Sequence, residues 1–158
     1  MPSPFIGLTN PAASPTASQP APCRRTLLIG SRQARGKAAV NLVQLNPDEK
    51  ITSAIAIKSF EEKDVKGQAL VMCTRGGMVK RTELAEFAEI RKSGIIAMGL
   101  DEGDILTEVK LYSDDKQEAL IGTKEGMCIR FPADQIRVIG RPGKGVIGIR
   151  LDKNDQVV

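Results

Sequence analysis

The sequence predicts an all-β fold, a propeller-like repeat array of four-stranded blades of about 50 residues each that stops short of a closed disc. Three observations predict it. From about Arg35 onward, short runs rich in β-branched residues alternate with turn residues roughly every 8 to 12 positions. A strand–glycine turn–strand pattern occurs twice, its Gly77-Met78 and Gly126-Met127 pairs lying 49 positions apart. A basic, small-residue opening followed by an apolar run recurs three times.

The elements follow in order. Residues 1–30 hold six of the nine prolines in their first 22 positions and no charge before Arg24. Such a stretch, without apolar periodicity, is expected to be a disordered leader. The domain is expected over 31–158, with blades at about 35–89 and 90–139 and the start of a third at 140–158. Arg35 to Leu45 opens the first blade, Ile90 to Leu100 the second and Arg141 to Leu151 the third, and each opening leads into an acidic turn. Leu70 to Thr74 and Met78 to Arg81 form a hairpin around Arg75-Gly76-Gly77, where glycine supplies the positive φ of a tight turn. Ala119 to Thr123 and Met127 to Arg130 form its second copy, with Thr74 and Thr123 at the same offset. The unit varies in one loop, Lys58 to Gln68, which is longer than its counterpart from Ser113 to Glu118. A helical reading fits only Glu83 to Ile90.

Most catalytic chemistry is excluded by residue type. Histidine is absent, which removes imidazole bases, Ser-His-Asp and Cys-His nucleophile systems and histidine-bearing zinc sites. Cys23, Cys73 and Cys128 have no metal-ligand spacing and read as reduced thiols, the latter two as core residues of strands. Gly143 to Gly148 spells GxGxxG, but a strand follows where a dinucleotide site needs a helix, so these glycines serve a bend. The carboxylate pairs Glu61-Glu62, Asp101-Glu102 and Asp114-Asp115 fall in turns, where solvated acids are ordinary. Tyr112, the single tyrosine, sits at a strand end without nucleophile partners. No catalytic or metal site is expected, and no membrane span or secretory signal is visible, so the chain reads as cytoplasmic.

Positive charge is the signal that remains. The chain carries 23 Lys and Arg against 19 Asp and Glu, a formal charge of +4. Residues 101–118 hold seven acids, whereas 124–144 hold five bases against two acids. Each repeat opens with a basic pair: Arg35 with Lys37, Arg91 with Lys92, and Arg141 with Lys144. Equivalent positions of a repeat array point the same way, so these pairs are expected to line one rim, matching the regular charge of a phosphate backbone. Lys80, Arg81 and Arg130 are weaker candidates for the same contact. Aromatic residues make up only 3% of the chain, which favours duplex backbone contact over stacking on single strands. A protein-interaction module with a basic rim is the alternative reading.

Several motifs together resemble one family. Ser31-Arg32-Gln33-Ala34-Arg35-Gly36-Lys37 with Val40-Asn41-Leu42, Thr74 to Thr82, Gly126 to Phe131 and Gly143 to Leu151 are similar to the C-terminal domain of the A subunit of DNA gyrase. The A subunit of topoisomerase IV is the near competitor, and the Gln-Ala-Arg-Gly-Lys…Val-Asn-Leu stretch favours gyrase. The resemblance implies a β-pinwheel that wraps duplex DNA on a basic rim during ATP-dependent strand passage and negative supercoiling. It also implies the gyrase B subunit, together with a second A subunit, as partners. ATP and magnesium are then used elsewhere in that assembly, with no cofactor in this chain. The family's Gln-Arg-Arg-Gly-Gly-Lys-Gly box is present only as the degenerate stretches Gln33 to Lys37 and Arg141 to Gly145.

Overall fold

Alternating burial within β-branched strands creates sheets that must cover both faces, and the chain meets this by stacking sheets with cores between them. The computed structural model describes residues 4–10, 23–29, 49–57, 59–89 and 94–158, the first two segments as backbone. In chain order the strands are β1 (Pro4–Asn10), β2 (Cys23–Ile29), β3 (Lys50–Ala56), β4 (Ala69–Thr74), β5 (Met78–Glu83), β6 (Ile95–Met98), β7 (Leu106–Tyr112), β8 (Glu118–Gly122), β9 (Cys128–Pro132) and β10 (Val146–Ile147). One helical turn, α1 (Glu62–Val65), lies in the longer loop, and single 3-10 turns span Leu84–Phe87 and Ala133–Gln135. The helix expected over Glu83 to Ile90 is therefore only a 3-10 turn.

Both expected hairpins form, and their turns match atom for atom. Gly77 and Gly126 have φ of 83° and 87°. Their N–H groups donate to the carbonyls of Thr74 and Thr123 at 3.0 and 3.1 Å. The same two threonines accept the N–H of Met78 and Met127 on Oγ1, each at 3.2 Å. A threonine at the strand end thus closes the turn from both its backbone and its side chain, which is why the Thr…Gly-Met spacing repeats.

The sheets do not coincide with the sequence repeats. One sheet has the order β3-β1-β2-β6, a second has β10-β5-β4-β7, and β8-β9 form a third. The second sheet takes its central hairpin from the first repeat, β7 from the second and β10 from the third. Each four-stranded sheet is thus assembled from strands lent by successive parts of the chain. β4 shows how the stacking works. Leu70 and Met72 point into one core with Leu84, Phe87, Met98, Leu106 and Val109. Ala69, Val71 and Cys73 point into the other with Val79, Tyr112, Ile121, Ile136 and Val157.

The expectation of a disordered leader over 1–30 is corrected at two places, Pro4–Asn10 and Cys23–Ile29, which are β1 and β2. β1 pairs antiparallel with β2 and β3, and β2 with β6. β3 and β6 lie tens of residues further along the chain, so local composition does not reveal the pairing. Cys128, expected in the core, is exposed, whereas Cys73 is half-buried. Cys128 opens β9, a strand with no neighbour beyond β8 among the described residues.

Candidate nucleic-acid interface

Four of the six rim residues expected from the repeat openings, Arg35, Lys37, Arg91 and Lys92, lie outside the described residues. The expectation that Arg91 and Lys92 stand on the same rim as Arg141 and Lys144 is therefore not answered by the structure, and the same holds for Arg35 and Lys37. The site is built from the third opening. Residues 137–149 run along the edge of β5 as a strap. The N–H of Arg81 donates to the carbonyl of Arg137 at 3.4 Å, and that of Ile139 to the carbonyl of Arg81 at 2.8 Å. After the turn, β10 pairs Val146 with Val79 and Ile147 with Met78. Between these attachments the backbone bulges outward at residues 140–144, carrying Arg141 and Lys144.

Lys80 holds that bulge in place. Its side chain is fully buried. Its Nζ donates to the carbonyls of Gly140, Arg141 and Gly143 at 3.0, 2.6 and 3.0 Å. An ammonium has three donors, and here three carbonyls meet them, which offsets the cost of removing the charge from water. Thr82 adds a hydroxyl bond to the carbonyl of Ile139 at 2.8 Å. Gly145, at φ 102°, lies so close to β5 that a Cβ there would sit 2.5 Å from the Val79 carbonyl oxygen. Lys80 is therefore corrected from a phosphate contact to a buried clamp on the turn that bears the exposed bases.

The other candidates are placed as follows. Arg141 is partly exposed, its N–H donating to Glu86 Oε2 at 3.1 Å and its Nε 3.8 Å from the same oxygen. Lys144 is exposed and paired with Asp101. Arg130 lies across β8-β9 from Glu118, to which its Nε donates at 2.8 Å. Exposed ion pairs of this kind contribute about 0–1 kcal/mol, so a polyanion can compete for the cation. Arg81 lies 4.8 Å over the centre of the Tyr112 ring, a cation–π contact that turns it towards the core instead of the rim. Arg137 and Arg150 were not singled out by sequence reasoning, yet both are exposed. Neither has a carboxylate partner among the described residues. The only signal for Arg137 was its membership of the basic stretch 124–144.

The acidic turns have a structural task. Asp104 Oδ1 accepts the N–H of Gly76 and of Ile105, both at 2.8 Å. Asp155 Oδ1 accepts the N–H of Glu125 and Gln156 at 3.0 and 2.8 Å. Each caps the hairpin turn of the preceding repeat. Bonds from the Thr123 side chain above all, then from the Glu125 and Gln156 amides, hold the Asp155 carboxyl below its usual range despite some desolvation. Burial, with Asp104 nearby, pushes the Cys73 thiol up to about 11, so it stays protonated. The Tyr112 hydroxyl donates to Asp115, which raises its pKa, and burial adds to the effect. Among the described residues no group of three or more His, Cys, Asp or Glu could hold a metal ion. No helix among them is long and apolar enough to cross a membrane.

A stack of sheets with exchanged strands and a basic outer turn defines a propeller-type repeat domain. The family model described as DNA gyrase C-terminal domain, beta-propeller, matches residues 26–58, 68–113 and 117–158, and the chain belongs to this family. The breaks between matched segments fall in the Lys58–Gln68 loop and its shorter counterpart. The A subunit of DNA gyrase from Helicobacter pylori is 45% identical over 128 residues, 81% of this chain. The chain spans about 15% of the length of that relative. The crystal structure of the C-terminal domain of DNA topoisomerase IV superposes with a TM-score of 0.75 at 24% identity, covering 98% of this chain and 45% of the other. The DNA gyrase A C-terminal domain gives 0.75 at 20% identity, covering 99% and 46%. These two likenesses support the β-pinwheel fold.

Proposed function

We propose that the chain is a DNA-wrapping part of a gyrase A protein, gripping duplex DNA by its phosphates and contributing to negative supercoiling in an ATP-dependent type II topoisomerase. Family membership over most of the chain carries this reading. The clamped turn supports it physically, because Arg141 and Lys144 stand on a backbone that Lys80 holds, while Arg137 is held by its pairing with Arg81. Charges fixed in position cost less ordering entropy on binding than charges on a loose loop. Arg35 and Lys37, like Arg91 and Lys92, extend the same rim in this reading. The partners are duplex DNA, the gyrase B subunit, with a second A subunit, in the cytoplasm. Cleavage, ATP and magnesium belong to other parts of that assembly.

The salt dependence of duplex binding tests the reading. Replacing Arg141 and Lys144 together by Ala should weaken binding about equally for unrelated sequences. It should also flatten log K against log[salt] by about 0.9 for each phosphate no longer neutralised. Replacing Lys110 and Lys116, which lie among acids, changes net charge by the same amount and should do much less. Equal losses from both double variants would refute the rim. Binding without any salt dependence would turn the assignment towards an acidic protein partner.

A further inference from the structure

Two carboxylates from preceding repeats reach the clamped turn at 140–144, and they hold it differently. Glu86, in the 3-10 turn after β5, takes the backbone. Its Oε2 accepts the Arg141 N–H at 3.1 Å, and a Cβ on Gly140 would lie 3.7 Å from the same oxygen. The Arg141 guanidinium is held only loosely: its Nε lies 3.8 Å from Glu86, buried and without a hydrogen-bond partner. Glu86 thus fastens the turn from one side as Lys80 does from the other.

Asp101 takes a side chain instead. The Gly99 N–H donates to the Gly143 carbonyl at 3.2 Å. A Cβ on Gly99 would lie 2.9 Å from the Pro142 carbonyl oxygen, so only glycine lets the two openings approach this closely. That approach sets Asp101, two residues on, beside Lys144, whose Nζ donates to its Oδ1. Both partners keep more than half of their side-chain surface in water. Asp104 and Asp155 cap turns through backbone amides, but the Asp101 carboxylate bonds to no amide among the described residues. The turn therefore does not need it. The repeats point to a paired role: the second opening has Ser93 at the position of Lys144, and the turn before it has Asn46 at the position of Asp101. Base and acid occur together.

We propose that the two carboxylates act on duplex binding with opposite sign. Glu86 is a positioning residue that fixes Arg141, whereas Asp101 is an internal stand-in for phosphate that must leave Lys144 before DNA can take it. The inference rests on the wrapping reading above and names two residues that tune it. An exposed ion pair is weak, so a phosphate can displace Asp101. The freed carboxylate then recovers a cation from solution, which cancels part of the counterion release that drives binding.

Equilibrium binding of the full chain to two unrelated duplexes across a salt series tests this. Asp101→Asn should tighten binding up to about fivefold at low salt and steepen log K against log[salt] by up to about 0.9. Glu102→Gln removes the same charge from an exposed neighbour that has no ion pair among the described residues, and should do less. In a Lys144→Ala background, Asp101→Asn should add nothing beyond that control. Glu86→Gln and Glu86→Ala lose the same charge, but only glutamine keeps an oxygen for the Arg141 N–H. Glu86→Ala should therefore bind about two- to fivefold more weakly than Glu86→Gln, with faster amide exchange at Arg141. An unmodified chain that binds neither duplex at low salt overturns the wrapping reading and this inference with it. Salt-dependent binding that Asp101→Asn leaves unchanged, or tightens equally without Lys144, overturns the inference alone, as does equal binding by the two Glu86 variants.

Discussion

β4 and β8 are copies of one strand, 49 positions apart, with the same threonine-closed turn, yet they live in different surroundings. Four of six residues of β4 are buried, whereas in β8 only Ile121 is. The strands themselves do not account for this. β4 has β5 on one side and β7 on the other, with β10 beyond β5; β8 has β9 and a single bridge at its end. In an array that exchanges strands, a blade's stability resides in what its neighbours lend it, and the hairpin is only the local nucleus.

The sharpest way to break this comparison is to cut similar amounts of side chain from both strands. Met72 is fully buried between sheets, while Leu120 is 71% exposed. Met72→Ala should cost about 2–5 kcal/mol, and Leu120→Ala should stay within about 0.5 kcal/mol. Denaturant unfolding of the two variants reads the difference. Comparable losses would mean that β8 is covered in solution.

The same contrast explains what could be read in advance. The two hairpins were legible because turn chemistry is local: Thr, then Gly, then Met fixes a donor, an acceptor and a positive φ within five residues. The sheets were not, since β7 and β10 reach the β4-β5 hairpin from later repeats and no local pattern encodes that. β1 left a trace that composition hid, a short apolar run up to Thr9, among prolines that suggested disorder. Lys80 misled for another reason. Lys80-Arg81 reads as a surface basic pair, and only the approach of residues 140–143 turns its ammonium into an internal ligand for carbonyls. The basic stretch 124–144 did mark the right turn, because charge density survives ignorance of topology.

A smaller effect should follow from removing the clamp. Lys80→Met keeps the volume and loses the three bonds to Gly140, Arg141 and Gly143. Gly140 keeps the N–H of Gly143 and Gly143 that of Gly99, so the cost falls on the Arg141 carbonyl, about 1–3 kcal/mol and less if water enters. The loss should be local: amide exchange should quicken at Ile139 and Gly143 and stay unchanged across β8-β9. Duplex binding should weaken although no exposed charge has gone. Unchanged exchange at Ile139 and Gly143 would show that the strap is held by its strand pairing alone.

The smallest effect concerns the cap that β8-β9 receives from Asp155, the feature it shares most fully with β4-β5. The folded pKa of this carboxyl lies below its unfolded value, with the Thr123 side chain as first cause. Its contribution is thus fully present above the unfolded value, about 3.9, and is lost as pH falls through the folded one. A carbon-detected NMR titration of Asp155 should give a midpoint below about 3.9, and the Glu125 and Gln156 amide shifts should move with it. Thr123→Val should bring the midpoint back towards the ordinary value, while Asp155→Asn should remove the amide transition altogether. Since Thr123 also accepts from Met127 at 3.2 Å, its loss should loosen the turn at neutral pH as well. That neutral-pH loosening should be absent in Asp104→Asn, whose carboxylate caps the other hairpin. If Thr123→Val leaves the Asp155 midpoint where it was, the cap works through the backbone amides alone, and the threonine's role ends at the turn.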